Sequence, residues 1–273
     1  MTALETHEQP DITVFRGWKD SGKYVWSPYV IKLETRLRFA GVRYITGVGS
    51  PKTAPKGKIP YIEYRKPSFS SSSPSPTVRE SALMGDSTLI TKTLTECGVL
   101  SDLNSALGPA ERSHDVALRA LLEDKLYFYH TWERWIQNYY TMRDHVLWSI
   151  PYPVRVLVGL MIYRSTLATL HGQGTGRFTA KEIVTFRREI WEGLSALLTA
   201  SRSNNKDAHE PFWALGGDHP TEADASLFGF IVSALICTAA PDSQRVVKTF
   251  PVLVDYADRI HDRYFPDYEK WST

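Results

Sequence analysis

Two serines stand where the sequence predicts that helices begin, and each could offer a hydroxyl to a bound ligand. Ser27-Pro28 comes directly before one amphipathic run, and Asp86-Ser87 comes before another. A serine or aspartate there caps the helix, and a hydroxyl can equally meet a ligand at the positive helix end. Pro28 suits the first helical turn, where its missing N–H has no intrahelical partner. Capping and ligand binding both stay open from these residues alone.

A proline opens a third apolar run, in the segment Lys58-Ile59-Pro60. Because proline cannot donate a ladder hydrogen bond, it belongs at the first residue of a strand or at an edge. Two interpretations follow: a simple strand start, or a cis peptide bond between Ile59 and Pro60. A cis bond would turn the Ile59 N–H and C=O outward, where an extended peptide-like ligand could pair with them.

The elements that must position these motifs follow from the hydrophobic periodicity. The pattern predicts an order β-α-β-β-β-α, with strands at 12–15, 42–48, 59–64 and 81–84 and helices at 28–40 and 85–98. The first β-α-β unit predicts two parallel strands joined by a right-handed crossover. The Ser/Pro-rich run 66–80 is predicted to be a mobile connection between the third and fourth strands.

Beyond residue 109 the strand patterns vanish. Long amphipathic runs predict helices at 110–140, 154–174, 179–201, 221–240 and 244–265. The sequence therefore predicts an α/β domain over 10–100 and an all-α domain over 109–268. The Thr221-x-x-Asp224 spacing is a relative of the capping box, so these two residues are interpreted as structural.

Composition excludes several classes of function. The 273 residues carry a net charge of +2, which gives no strong attraction to nucleic acid. Cys97 and Cys237 lie in no metal-binding or dithiol spacing, which favours reduced cysteines in the cytoplasm. The N-terminus has no apolar signal region, and no apolar run reaches the ~20 residues of a membrane span. Neither a zinc-protease helix nor a phosphate-binding glycine loop is present, so no metal site is predicted.

The order of motifs and elements resembles the glutathione S-transferase superfamily, in particular its failed-axon-connections and metaxin-like subgroup. The segments that carry the resemblance to this subgroup are SPYVIKLETRLRFAGVRY, KGKIPYIE, GDSTLI, RALLEDKLYFYHTWERW and LHGQGTGRFTAKEI. A further segment, GDHPTEADASLFG, resembles a helix found throughout the transferases. The resemblance implies a thioredoxin-like N-terminal domain, an all-helical C-terminal domain, glutathione as cosubstrate and a homodimer.

The resemblance also implies roles for the polar motifs. Ser27 falls at the catalytic hydroxyl of serine-type transferases, with the Tyr24 phenol as the rival donor to the glutathione thiol. Ser-Pro-Tyr-Val stands where thioredoxins keep C-x-x-C, so dithiol chemistry is excluded there. The glutathione-binding residues implied are Lys58 for the glycyl carboxylate, Ile59 beside Pro60 for the cysteinyl backbone, and Asp86 with Ser87 for the γ-glutamyl end.

Aromatic side chains are candidates for the second substrate. Trp18 and Trp26 lie in an unusually long first strand–helix loop, and Tyr127 and Trp132 lie on the first long helix of the second domain; Arg134 could bind a polar cosubstrate. The expected activity is addition of the glutathione thiolate to an apolar electrophile, or glutathione-dependent isomerisation, in detoxification or secondary metabolism. The alternative is a non-catalytic binding or interaction protein, a class to which some metaxin-like relatives belong.

Overall fold

The computed structural model describes residues 12–65, 81–204 and 210–272, so the predicted connection at 66–80 lies outside the described residues. A four-stranded sheet has the order β2-β1-β3-β4. β1 and β2 are parallel, as predicted, whereas β1–β3 and β3–β4 are antiparallel. The strands are β1 (Ile12–Phe15), β2 (Ile45–Gly47), β3 (Tyr61–Arg65) and β4 (Ser81–Gly85), with helices α1 (Pro28–Phe39) and α2 (Ser87–Glu96).

β2 is shorter than the predicted strand 42–48 because its first residues close the preceding helix. Gly41 adopts a left-handed φ of 66°, a conformation that glycine reaches without steric cost. The N–H of Val42 then donates to the carbonyl of Leu37 at 3.0 Å, which satisfies a carbonyl at the end of α1. The β-rich sequence after Gly41 therefore begins as a helix cap and becomes a strand only at Ile45.

The rest of the described chain is helical. The helices are α3 (Pro109–Ala120), α4 (Tyr127–Trp132), α5 (Tyr139–Val146), α6 (Tyr152–Gln173), α7 (Ala180–Asn204), α8 (Glu222–Ile236), α9 (Pro241–Lys248) and α10 (Pro251–Tyr264). The predicted helix 110–140 contains π-helical stretches at Leu121–Leu126 and Glu133–Gln137. The predicted helix 244–265 is two helices, because Pro251 fits only a first helical turn. The division into domains at 10–100 and 109–268 stays a prediction.

α8 lies at the centre of the helical core and contacts α1 directly. Its residues from Ala223 to Leu235 are buried. Gly229 makes the close approach possible: a Cβ atom there would lie 2.6 Å from the carbonyl oxygen of Pro28 and 3.0 Å from the amide nitrogen of Lys32. The first turn of α1, which follows Ser27, therefore rests on the backbone of α8.

We expect Gly229→Ala to lower the free energy of unfolding by about 1–3 kcal/mol, because the added methyl must push α1 away from α8. Gly193→Ala on α7 is the matched control, since a Cβ there meets nothing within 4 Å. That control should be neutral or stabilising by up to about 1 kcal/mol through helix propensity. Urea unfolding of both variants makes the comparison, and equal stability of the two would contradict the proposed close contact.

Among the described residues, no single helix is long and apolar enough to cross a membrane. α8 and α9 meet that test only as a pair, which is bent by 115°. Within the same parts of the chain, no cluster of three or more His, Cys, Asp or Glu side chains could hold a metal ion.

Candidate functional site

The strand register brings the polar motifs to one edge of the sheet. Phe15 of β1 pairs with Tyr61 of β3, and Tyr61 pairs with Gly85 of β4. Pro60 precedes Tyr61 and Asp86 follows Gly85, so in these antiparallel pairs they are neighbours just beyond the ladder. The chain leaving β1 at this edge returns through a loop to Ser27. Ser27, Pro60 and Asp86, which are 26 to 59 residues apart in sequence, thus surround one edge of the sheet.

Ser27 is the N-cap of α1 and keeps a donor free. Its Oγ accepts a hydrogen bond from the N–H of Val30 at 3.4 Å, a long bond for this geometry. A serine hydroxyl carries two acceptor lone pairs and one proton, so accepting this bond leaves its O–H available. Capping and donation to a ligand are therefore compatible for this half-buried side chain.

The Ile59–Pro60 peptide bond is cis, which agrees with the sharper of the two sequence interpretations. Pro60 is buried, and Lys58 is exposed just before it. Among residues 12–65, 81–204 and 210–272, none forms a hydrogen bond with the Ile59 backbone. The Ile59 N–H and C=O therefore have unused hydrogen-bonding capacity beside the sheet edge.

Asp86 and Ser87 form the start of α2. Asp86 has a left-handed φ of 78°, and its Oδ1 accepts from the N–H groups of Thr88 at 3.0 Å and Leu89 at 3.1 Å. This confirms the capping interpretation for Asp86, whose carboxylate remains exposed. Ser87 is only 5% exposed and lies in the first turn, where the positive end of the helix favours an anion.

A buried lysine missed by the sequence interpretation ties this edge to the helices. Lys32 on α1 donates from Nζ to Thr88 Oγ1 at 3.0 Å and to Glu123 Oε1 at 2.6 Å. Ser226 on α8 donates to the same Glu123 oxygen at 2.7 Å. The start of α2 is thereby held to α1 and to the helical core. Lys32 lies on the polar side of α1, away from the apolar residues Val30 and Leu33, and that side of a helix usually faces solvent, so the sequence pattern gave no signal of this role.

Tyr24 does not offer a free phenol. Its hydroxyl lies 2.8 Å from Nδ1 of His261 on α10, and the residue is 8% exposed. Its ring lies among the aromatic rings of Phe228, Phe265 and Tyr268. Burial raises the pKa of Tyr24 far above its ordinary value, so the phenol holds its proton at neutral pH.

The peptide ahead of Ser27 is fixed from the helical side. Arg134 donates from Nη1 to the carbonyl of Trp26 at 3.0 Å and from Nη2 to Ser233 Oγ at 3.0 Å. The Ser233 hydroxyl donates to the same Trp26 carbonyl at 2.5 Å. Arg134 is 5% exposed. The expectation that it binds a polar cosubstrate is therefore wrong, because its guanidinium is buried and holds the backbone next to Ser27.

The two loop tryptophans enclose one imidazole. His145 on α5 stacks on Trp18 at 4.4 Å and on Trp26 at 3.4 Å between ring centroids. Burial, with a smaller contribution from Arg134, lowers the pKa of His145 to about 4. The imidazole is therefore neutral at physiological pH, and the stack anchors the long loop to α5 without a charge.

The other two aromatic candidates occupy different places. Tyr127 on α4 lies 5.0 Å from the ring of Tyr29, which is two residues beyond Ser27. Tyr29 donates from its hydroxyl to the carbonyl of Glu123 at 3.2 Å. Trp132 is half-buried, and in the described part of the chain no ring contact links it to the other candidates. The structure thus brings Tyr127, more clearly than Trp132, toward the start of α1.

Two family models match the chain. The model of the glutathione S-transferase N-terminal domain covers residues 28–142, and that of the glutathione S-transferase C-terminal domain covers residues 212–260. Together they confirm the predicted fold class, a thioredoxin-like domain followed by helices. The first match extends beyond the sheet: it includes α3, α4 and both π-helical stretches, and it ends within α5.

Individual relatives agree with these matches. The chain is 25% identical to Failed axon connections of Drosophila melanogaster over 90% of its own length, and it spans 56% of that protein. It is 28% identical to the isoprene-epoxide glutathione S-transferase of Rhodococcus sp. strain AD45, covering 87% of this chain and 92% of the relative. A glutathione transferase family member from Pseudomonas fluorescens, solved with two glutathione molecules bound, superposes with a TM-score of 0.50. That structure is 12% identical, with coverage of 96% of this chain and 92% of the other.

Proposed function

Because the chain belongs to the glutathione S-transferase superfamily, we propose that it binds glutathione along the sheet edge and transfers it to an apolar electrophile. The observation that carries this proposal is the strand register, which sets Pro60 beside Asp86 while the loop after β1 returns to Ser27. Donors and a backbone segment for an extended tripeptide then line one edge. The glutathione bound in the Pseudomonas fluorescens relative and the name of the Rhodococcus transferase support the same ligand.

Each part of glutathione has a proposed partner of matching chemistry. The exposed ammonium of Lys58 pairs with the glycyl carboxylate, and the free backbone groups of Ile59 pair with the cysteinyl residue. At the γ-glutamyl end, the hydroxyl and the N–H of Ser87 receive the carboxylate. The exposed carboxylate of Asp86 attracts the ammonium, while its Oδ1 keeps the helix capped.

The chemical step in this proposal starts from a hydrogen bond to sulfur. The free O–H of Ser27 donates to the glutathione sulfur, and together with the positive end of α1 it lowers the thiol pKa by about two units, worth roughly 2.7 kcal/mol. The thiolate attacks a carbon of an epoxide, so a C–S bond forms and a C–O bond breaks. The alkoxide then takes a proton from water. Addition to an activated alkene, displacement of a halide and double-bond isomerisation use the same thiolate.

Glutathione should stabilise the protein against heat. Ser87→Ala should raise the Kd for glutathione about tenfold, because it removes a charge-assisted hydrogen bond. The dipeptide Cys-Gly, which lacks the γ-glutamyl end, gives the sharper test. Its affinity should be the same for the wild type and Ser87→Ala, because the lost contact lies beyond its reach. Ser113→Ala on α3 is the control, since its hydroxyl donates to the carbonyl of Pro109 away from this edge.

Isothermal titration with both ligands makes this measurement. Equal losses for glutathione and Cys-Gly would contradict the docking of the γ-glutamyl end at Ser87. Absence of any heat or thermal shift with millimolar glutathione would contradict the binding proposal as a whole.

The second candidate is a non-catalytic binding protein with the same fold. The match to Failed axon connections over 90% of this chain is the observation that favours it. The two candidates separate in a turnover assay with glutathione and a panel of epoxides, alkenes and halides: binding without turnover supports the second.

Our proposal further includes a cytoplasmic homodimer that serves detoxification or secondary metabolism.

A further inference from the structure

Arg134 is a buried cation without a counter-ion. In the parts of the chain that the structure describes, six arginine or lysine side chains are buried, and five of them form an ion pair with a carboxylate. The five paired residues are Arg16, Lys32, Arg36, Arg143 and Arg187. Arg134 is the sixth, and no described carboxylate forms an ion pair with its guanidinium. Burial of an unpaired charge is costly, so such a residue is a candidate for a functional role.

All the hydrogen-bond acceptors that the described chain offers to Arg134 are neutral. Nη1 donates to the carbonyl of Trp26 at 3.0 Å, and Nη2 donates to Oγ and to the carbonyl of Ser233 at 3.0 and 3.4 Å. Nε is buried and has no described acceptor. The adjacent carboxylate of Glu133 pairs with Arg187 instead. The positive charge of Arg134 is therefore not cancelled by the helical segment that carries it.

This charge lies close behind Ser27. The Trp26 carbonyl that Nη1 contacts belongs to the peptide whose nitrogen is that of Ser27, so standard bond lengths put Ser27 Oγ at most about 9 Å from Nη1. A sulfur that accepts from this hydroxyl is one hydrogen bond further away. At about 10 Å and an effective dielectric constant of about 20, a unit cation lowers the pKa of an acid by about one unit.

The titratable groups around Arg134 respond to its charge. Burial lowers the pKa of His130, four residues earlier, and the charges of Arg134 and Arg187 lower it further. Burial and then Arg134 lower the pKa of His145 on α5 to about 4. Burial raises the pKa of the Cys237 thiol, just beyond α8, and Arg134 opposes that rise. At neutral pH both imidazoles are uncharged and Cys237 holds its proton, so none of the three cancels the charge.

We propose that the guanidinium of Arg134 is the counter-charge of the glutathione thiolate, and that it favours ionisation of the sulfur from behind the Trp26–Ser27 peptide. This inference rests on the proposed function, since it needs glutathione at the sheet edge with its sulfur against Ser27. Arg134 does not touch the ligand: it is a positioning residue that acts through the Trp26 carbonyl and through its charge. Lys58 and Asp86, assigned to the two ends of glutathione, have opposite signs, so their effects on the sulfur oppose each other. Arg134 is then a third contributor, beside the Ser27 hydroxyl and the positive end of α1, to the same lowering of the thiol pKa.

The test is a pH titration of the thiol at saturating glutathione, followed by the ultraviolet absorbance of the bound thiolate. Arg134→Met removes the charge and fills a similar volume, while the Trp26 carbonyl keeps its bond from Ser233. We expect the titration midpoint to rise by about 0.5 to 1 unit, which is a loss of thiolate of about three- to tenfold below the midpoint. Arg134→Lys keeps a cation and should restore most of the low midpoint.

Two control variants separate charge from hydrogen bonding and from net charge. Ser233→Ala removes the other bond to the Trp26 carbonyl but no charge, and it should move the midpoint by less than about 0.3 unit. Arg188→Met removes an exposed arginine of α7, where water and salt screen the charge, and it should leave the midpoint in place. Circular dichroism checks the fold of each variant. Arg134→Gln, which keeps a donor without the charge, gives the same comparison where Arg134→Met does not fold.

The outcomes distinguish this inference from the proposed function. A low midpoint that is the same in the wild type and in Arg134→Met would overturn the inference and leave glutathione binding and the role of Ser27 intact. A midpoint that rises equally in Arg134→Lys, or in Ser233→Ala, would also overturn it, because hydrogen bonding and not charge would then set the ionisation. A wild type that binds no glutathione would instead contradict the proposed function.

Discussion

Ser27→Ala should lower kcat/KM for glutathione conjugation by about 10- to 100-fold near pH 6.5 while changing the Kd for glutathione less than about threefold. The reason is the state of the sulfur. With a pKa near 8.5, about 1% of a thiol is ionised at that pH, whereas a shift of two units makes about half of it thiolate. A stabilised thiolate is also a weaker nucleophile, which offsets part of this gain.

The pH profile separates activation from mere binding. Below the thiol pKa the rate follows the thiolate fraction, so removing the donor raises the pKa and moves the rising limb to higher pH, by less than about two units because the positive end of α1 remains. Above the ordinary thiol pKa both proteins hold thiolate, and their rates should converge. A Ser27→Ala variant that loses rate by one constant factor at every pH would show that the hydroxyl does not set the ionisation.

Two further variants complete this experiment. Ser27→Thr keeps a hydroxyl at the helix start. The pH at the midpoint of the rising limb of its rate profile should therefore stay as low as in the wild type. Tyr24→Phe should leave the midpoint unchanged, because the phenol is hydrogen-bonded to His261. Its cost should be a loss of about 1 kcal/mol in stability from that hydrogen bond. A midpoint that moves with Tyr24→Phe would assign the activation to tyrosine.

The secondary-structure elements and the family resemblance could be predicted from the sequence because both depend on local patterns. Period-two and period-3.6 stripes predicted the order of strands and helices, and the helix starts at Ser27 and Asp86 followed from capping chemistry. That Pro60 and Asp86 act together was implied only by the resemblance to the transferases. The register that makes them neighbours is seen in the structure, between strands separated by the undescribed run 66–80.

The partners that fix the site could not be predicted in this way. Arg134 reaches Trp26 across 108 residues, Lys32 reaches Glu123 across 91, and Tyr24 meets His261 across 237. Each pair depends on how the helices dock, which no local period encodes. The π-helical stretches are hidden for a related reason, since their wider turns shift which side chains face the core without changing the composition of the helix.

Asp224→Ala should be the most destabilising single substitution proposed for this protein, at about 3–5 kcal/mol. The carboxylate is fully buried. Its Oδ1 accepts from the N–H of Ala214 at 2.7 Å and from the Tyr256 hydroxyl at 2.8 Å. Its Oδ2 accepts from both the N–H and the hydroxyl of Thr221 at 2.8 Å. Alanine removes all four bonds at once and leaves buried donors without acceptors.

A second capping box supplies the matched control. Glu182 at the start of α7 accepts from the N–H and hydroxyl of Thr179 at 2.7 and 2.9 Å, but both residues are exposed. Water can replace those bonds, so Glu182→Ala should cost only about 1 kcal/mol. Thermal unfolding should show Asp224→Ala lower in Tm by roughly 6–20 °C. Equal losses for the two variants would mean that capping alone matters. A much larger loss for Asp224→Ala shows that burial of the unpaired donors dominates.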